Sequence, residues 1–345
     1  MVFWGNTGSL TSSPQIRFGE DRAVKTDLQG LDIYKPMSTP KRILSLFAGC
    51  GGLDYGFHHN AAFTHVFVND FDKDACDSYE QNLGQKPVCA DVSTLTDFPD
   101  CDLLIGGFPC QGFSMANPYR CPDDQRNQLY KEILRILLLK KPKYFLLENV
   151  KGILNMGGYD TPEDKKNKTG RIVKSIVADL SECGYKVKFK LFETKKYGVP
   201  QKRERVIFVG VRNDVDFEPV WPTEVAGQKT IRDAIGDLPE EYVAETQHVG
   251  TKHKVNVTGY LGNRVLKWDE PSPTITGRGG GSGGPVIHNH PNMKRRLTVR
   301  ECARIQTFPD TFRFVGSISS MYRQLGNAVP CAFSVHLAAM LQGAP

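Results

Sequence analysis

From Arg42 onward the chain alternates between two hydrophobic rhythms. Short apolar, β-rich runs occur at residues 43–47, 65–69, 102–105, 144–147 and 205–211. Runs of this length and composition predict strands. Between them, apolar positions return every three or four residues. Leu129, Ile133, Ile136 and Leu137 make one helical face, closed by Pro142. Ile172, Ile176, Val177 and Leu180 make another, ended near Gly184. That period belongs to helices with one buried side. Strand alternating with helix predicts an α/β fold, doubly wound on a mostly parallel sheet. Such sheets bind ligands outside the carboxyl ends of their strands.

The alternation stops near residue 215. Pro219, Pro222, Pro239, Pro271, Pro273 and Pro285 break up the segment beyond it, and six of the eight residues at 277–284 are glycine. Helical text returns at 298–306 and 332–341. Three regions are therefore expected: an N-terminal arm or disordered tail at 1–39, an α/β domain from 40–217 plus 323–345, and a smaller loop-rich domain at 218–322. Phe3 and Trp4 are too isolated to build a core in the arm.

Composition narrows the class. The chain of 345 residues, 40% hydrophobic and 24% charged, has enough apolar text to bury a core, as soluble globular proteins do. No apolar run reaches the roughly 18 residues a spanning helix needs. The start lacks the basic and then apolar pattern of a secretory signal. The nine cysteines include no CxxC pair, which argues against a disulfide framework or zinc finger and for a reducing, cytoplasmic setting. Net charge is +6, unevenly spread: residues 250–305 hold ten Lys or Arg against three Asp or Glu. A basic segment on a near-neutral body suits a polyanion.

Two stretches carry candidate chemistry. The first, from Leu46 to Leu53, places Gly49, Gly51 and Gly52 just after a predicted strand. Glycines there let backbone approach a ligand, and the next helix can aim its N-terminus at an anion. The second strand ends in Asp70-Phe71, about twenty residues on. An acid so placed can bind ribose hydroxyls, and the aromatic can stack on adenine. Asp91, beside Val92, can accept from an adenine amino group. Together these describe an adenosine site, open to either NAD or S-adenosylmethionine; no GxxxxGK[ST] marks an ATP loop. The other stretch, from Gly106 to Ser114, sets Cys110 on a glycine-flanked turn at a strand's carboxyl end.

Here the chain resembles the DNA (cytosine-5) methyltransferases of the bacterial modification type. The likeness runs from about residue 41 to 341, in family order: the glycine turn, Pro109-Cys110-Gln111, Glu148-Asn149-Val150, the stretch from Tyr197 to Arg205, the stretch from Arg295 to Arg304, and the stretch from Gln324 to Pro330. The resemblance implies an S-adenosylmethionine-dependent enzyme with a target-recognition domain at 218–322. It implies Cys110 as nucleophile, Glu148 at the cytosine N3 and amine, and Arg205 at the carbonyl oxygen. Pro109, Gln111, Ser114, Asn149, Gln201, Arg203 and Arg278 would contact substrate, Arg203 by supporting the cysteine turn or the DNA backbone. Phe47, Ala48, Gly49, Cys50, Gly52, Leu53, Asp70, Phe71, Asp91, Val92, Leu129, Asn327 and Ala328 would bind cofactor. Many relatives carry Glu and Trp where this chain has Asp70 and Phe71, so its hold on the cofactor is expected to differ.

The chemistry explains those residue types. Cytosine C5 is a poor nucleophile until a thiolate adds to C6 and makes C5 enamine-like. C5 then takes a methyl group from a sulfonium, loses its proton, and the thiolate leaves. This needs a cysteine, an acid protonated at least transiently near N3, and a cation near the oxygen. The loop from Gln111 to Asn127 mixes apolar, hydroxyl and basic side chains, suited to phosphates and to the gap a flipped base leaves. Arg278 among glycines can pair with guanine in a groove. The implied partners are double-stranded DNA and, without a stable complex, a cognate restriction endonuclease. The enzyme is expected to be monomeric, with no membrane contact and no metal, since no His or Cys spacing matches a ligand set.

Two alternatives stay open at this level. An RNA cytosine-5 methyltransferase shares the fold, though its relatives usually have a shorter recognition region than the stretch between Trp221 and Met321. A catalytically silent DNA-binding relative would not need Cys110, Glu148 and Arg205 together. An amino-group methyltransferase would need an Asp/Asn/Ser-Pro-Pro-aromatic turn, and an NAD dehydrogenase a catalytic histidine paired with Arg or Lys, neither of which stands out.

Overall fold

A computed structural model describes residues 39–108, 125–251, 255, 257, 264–277 and 287–345, with 125–128 described by their backbone alone. Residues 1–38 of the expected arm, Pro109, Cys110, Gln111, Ser114 and Arg278 lie outside the described residues, as does most of the loop from Gln111 to Asn127.

In chain order the elements are β1 (Lys41–Leu46), α1 (Asp54–His58), β2 (Phe63–Asp70), α2 (Lys73–Leu83), β3 (Val88–Cys89), β4 (Leu103–Gly107), α3 (Gln125–Lys140) and β5 (Tyr144–Val150). There follow α4 (Pro162–Asn167), α5 (Arg171–Glu182), β6 (Tyr185–Glu193), β7 (Gln201–Lys202), β8 (Glu204–Arg212), α6 (Ile231–Ile235), β9 (Ser272–Pro273), α7 (Val299–Ile305), α8 (Ile318–Asn327) and α9 (Cys331–Gln342). Seven strands form one sheet in the order β3-β2-β1-β4-β5-β8-β6. The first five are mutually parallel, and β8 runs antiparallel to both β5 and β6. Strand order reverses between β1 and β4, which opens a crevice at their carboxyl ends.

Successive residues of each strand feed opposite faces of the sheet. Ile43, Leu103, Ile105, Tyr144, Leu146 and Ile207 pack on one side with Phe57 of α1 and Phe333 and Leu337 of α9. Leu44, Leu46, Leu104, Phe145, Leu147 and Phe208 pack on the other with Ile133, Ile136 and Leu137 of α3 and Val173, Ile176 and Leu180 of α5. The end of the chain returns to its beginning because α1 and α9 touch backbone to backbone. A Cβ on Gly56 would lie 2.3 Å from the Ser334 carbonyl carbon, and the Gly56 N–H donates to Ser334 Oγ at 2.7 Å.

Strand β6 lies outside the predicted apolar runs. Lys186, Lys188 and Lys190 alternate there with Val187, Phe189 and Leu191, so half its positions are polar. It is an edge strand whose apolar side covers the α5 face while its lysines meet solvent.

Beyond residue 218 a third apolar cluster gathers Ile231, Ile235, Leu266, Leu297, Val299 and the ring trio Phe308, Phe312 and Phe314. Tyr322 and Leu325 of α8 join it, as does Cys50 from the first glycine turn. Helix α7 starts on a reciprocal cap in which Thr298 and Glu301 satisfy each other's backbone, and Arg295 grips the Glu301 carboxylate with two bonds of 2.8 Å.

Candidate active site

The turn after β1 is conformationally demanding. Phe47 has φ +55°, in the left-handed region that bulky side chains avoid, and Gly49 has φ +56°. The turn bends around Asp70 at the end of β2. Its carboxylate accepts the Gly49 N–H at 2.7 Å and the Asp72 N–H at 2.9 Å. Only 7% of Asp70 is exposed. Burial pushes its carboxyl above the usual range, and those backbone bonds partly oppose the shift. The neighbouring Phe71 ring is 74% exposed, with no core to bury it.

These groups line one cavity of about 850 Å³. Its wall brings together Phe47, Ala48, Gly49, Cys50, Gly52, Leu53, Asp70, Phe71, Leu129, Asn327 and Ala328. Asn327 and Ala328 arrive from the far end of the chain, beside Gly52. Burial pushes the Cys50 thiol up to about 12, so it lines the wall as a neutral group. Asp91 and Val92 are not in the wall. Asp91 caps a short turn over Val92–Thr94, accepting from the Ser93 N–H and hydroxyl, and Val92 is buried in the α3-side core.

At the other end of the same cavity stand Gly107, Phe108, Glu148, Asn149 and Arg205. Glu148 and Asn149 end β5, and Asn149 Nδ2 donates to the Phe108 carbonyl at 3.0 Å, tying the exit of β4 to β5. Gly107 leaves room for the acid: a Cβ there would lie 3.1 Å from Glu148 Oε2. Arg205 comes from β8, opposite Val150 in the antiparallel register. Its Nε is 2.5 Å from Glu148 Oε1, with the two side chains 10% and 12% exposed. The contact is one of opposite charges rather than an aligned hydrogen bond. A carboxyl beside a guanidinium, at the mouth of the strand that leads to Cys110, is suited to protonating a ring nitrogen and holding a carbonyl oxygen.

Gln201 and Arg203 sit behind the wall, fully buried. Arg203 donates to the carbonyls of Ile275 at 2.7 Å and Gly326 at 2.9 Å. Several wall residues escaped the sequence reading: Asp72, Lys151, Thr274, Thr276, Gly277 and Arg323. Arg323 Nη2 reaches Asp72 Oδ2 at 2.9 Å across 251 positions of sequence. Their only local signal is adjacency, Asp72 following Phe71 and Arg323 preceding the Gln324 stretch. Among the described residues no group of three His, Cys, Asp or Glu is arranged to hold a metal, and no helix is long and apolar enough to cross a membrane.

A profile of C-5 cytosine-specific DNA methylases matches residues 41–342. The chain belongs to that family. Among its relatives is the Type II methyltransferase M.NgoFVII of Neisseria gonorrhoeae, 38% identical, the match covering 87% of this chain and 86% of that one. The Type II methyltransferase M.BsuRI of Bacillus subtilis is 35% identical, over 84% and 76% of the two chains. Among solved structures, the S. pombe Dnmt2 methyltransferase superposes with a TM-score of 0.65 at 25% identity, covering 88% of this chain and 98% of that one. As a C-5 cytosine-specific DNA methylase, the protein is an enzyme that uses S-adenosylmethionine to methylate cytosine in DNA.

Proposed function

We propose that this methylase acts on a cytosine flipped out of a specific duplex sequence, through a covalent bond between Cys110 and C6. What carries the proposal is the continuity of one cavity, from the glycine turn and Asp70 at one end to Glu148 and Arg205 at the other. Gly107 and Phe108 in its wall lead directly into the segment that bears Cys110.

The cofactor end fits an adenosyl group. Space around Gly49 is open, with nothing within 4 Å of where a Cβ would stand. Asp70 would accept the ribose hydroxyls, Phe71 would stack on adenine, and Asn327 and Ala328 would close the far side. Bound there, S-adenosylmethionine supplies the methyl group. The protein's own groups do the rest. The Cys110 thiolate adds to C6, Glu148 shares a proton with N3, and Arg205 stabilises charge on O2. Asn149 keeps the ends of β4 and β5 in register, at the point where the chain runs on into the segment that bears Cys110. After methylation, loss of the C5 proton returns the electron pair that expels the thiolate.

Residues 218–322 would serve as the target-recognition domain; the apolar cluster around Leu297 and Phe308 is drawn mostly from them and is shared with Cys50, Leu325 and Cys331. The enzyme would work as a cytoplasmic monomer on duplex DNA. The Type II relatives suggest a cognate restriction endonuclease reading the same site without a stable complex.

Mapping methylated cytosines in DNA from a host expressing the protein identifies the site. A duplex with 5-fluorocytosine at the target then tests the mechanism. Fluorine cannot leave C5 as a cation, so a denaturation-resistant adduct should accumulate, dependent on S-adenosylmethionine. Cys110→Ser should form none. An adduct that persists in Cys110→Ser, or maps to Cys101 or Cys121, refutes the assignment.

A further inference from the structure

Three polar side chains with no solvent exposure, Gln201, Arg203 and Gln306, sit where two cavity-lining segments meet. One segment, residues 274–277, leads into the glycine-rich stretch that carries Arg278. The other, residues 326–328, ends α8 and carries Asn327. Gln201 Oε1 accepts the Ile275 N–H at 3.1 Å, and its Nε2 donates to Gln306 Oε1 at 3.0 Å. Gln306 Nε2 donates in turn to the Leu325 carbonyl at 2.6 Å. Arg203 clasps the same two segments through Ile275 and Gly326. Pairing of β7 with β9 fixes the base of the first segment.

The segments themselves are in direct contact. A Cβ on Gly326 would lie 2.0 Å from Gly277 N, and one on Gly277 would lie 2.2 Å from Asn327 Oδ1. Neither side can move without displacing the other. Buried amides and a guanidinium tie these segments by directional bonds that apolar side chains of the same volume would not supply, and so fix their relative position.

We propose that Gln201, Arg203 and Gln306 are positioning residues that make residues 274–277 and 326–328 one joint, coupling cofactor held at Asn327 to DNA held by residues 218–322. The inference rests on the functional assignment above for Asn327 and for residues 218–322. Linkage makes the coupling reciprocal: cofactor tightens DNA by the factor by which DNA tightens cofactor.

The test uses S-adenosylhomocysteine, which cannot react, and a duplex carrying the mapped site. Affinity for each is measured alone and with the other present, in the full chain. The unmodified protein should show mutual tightening of about 5-fold or more. Gln306→Leu and Gln201→Leu, confirmed folded by their circular dichroism melts, should keep cofactor affinity alone within about 2-fold while the coupling factor falls toward one. Gly277→Ala, which leaves the buried amides intact but pushes on Asn327 itself, should weaken cofactor binding alone as well as lower the coupling factor. Coupling that is absent in the unmodified protein, or unchanged in the folded variants, overturns the joint. If the unmodified protein binds neither ligand, the functional assignment itself fails; if it binds both independently, only the joint does.

Discussion

The pair of Glu148 and Arg205 permits a measurement that separates stability from chemistry. The two side chains reach each other from neighbouring strands, about nine-tenths buried, with 2.5 Å between Nε and Oε1. Removing one partner of a buried pair strands the other charge and costs roughly 3–5 kcal/mol. This pair borders an open cavity, so the low end applies: about 3 kcal/mol for Arg205→Met, which strands a carboxylate. Glu148→Gln should cost less, about 2 kcal/mol, because Arg205 keeps its bond to the Glu204 carbonyl at 2.8 Å. The double variant strands no charge and should cost about as much as one single change, a coupling energy of about 2–3 kcal/mol. Equilibrium urea unfolding of the four proteins, without cofactor, gives that number. Single-turnover methyl transfer on the same proteins should already be lost in each single variant. Additive stabilities would show that the charges do not interact. Methyl transfer within about tenfold of the unmodified enzyme in either single variant would remove that residue from the chemistry.

Two further outcomes concern the cofactor turn. Gly49 and Gly52 are glycines for different reasons: Gly49 has a left-handed backbone in open space, whereas a Cβ on Gly52 would lie 2.4 Å from the Val329 carbonyl oxygen. Gly49→Ala should cost about 1–2 kcal/mol by strain and Gly49→Asn less, while at Gly52 either change should cost about 1–3 kcal/mol by overpacking; thermal melts in which Gly49→Asn is no better than Gly49→Ala refute the first explanation. Asp70 has its carboxyl raised by burial, so the folded enzyme takes up this proton at higher pH than the unfolded chain, and the group's contribution to stability falls as pH rises through that window. On the proposal that Asp70 accepts the ribose hydroxyls in its ionised form, affinity for S-adenosylhomocysteine should weaken as pH falls through that raised value, and calorimetry on Asp70→Asn should show a weaker but flatter profile; an unchanged acid limb would assign the titration elsewhere.

The strands at 43–47, 102–105 and 144–147 and the helical faces of α3 and α5 were legible because burial period and chain punctuation are local properties. So was the order of the short stretches that mark the family, since each is contiguous in the sequence. The alternation of lysine with apolar residues in β6 was also present in the sequence, but a half-polar edge strand makes a weak apolar run. The antiparallel insertion of β8 between β5 and β6 was not readable, because register depends on which strand lies alongside. Nor was the direction of each polar side chain in the stretch from Gln201 to Arg205. Residue type marks it as important, yet only packing turns Gln201 inward to the Ile275 N–H and the Gln306 amide, and Arg203 inward to backbone carbonyls, while Arg205 faces Glu148. The meeting of Arg323 with Asp72, and of Gly277 with Gly326, joins parts of the chain far apart in sequence. Local preference is blind to such contacts; they exist because the sheet, α9 and the cluster around Phe308 close together and leave those groups no other place to be.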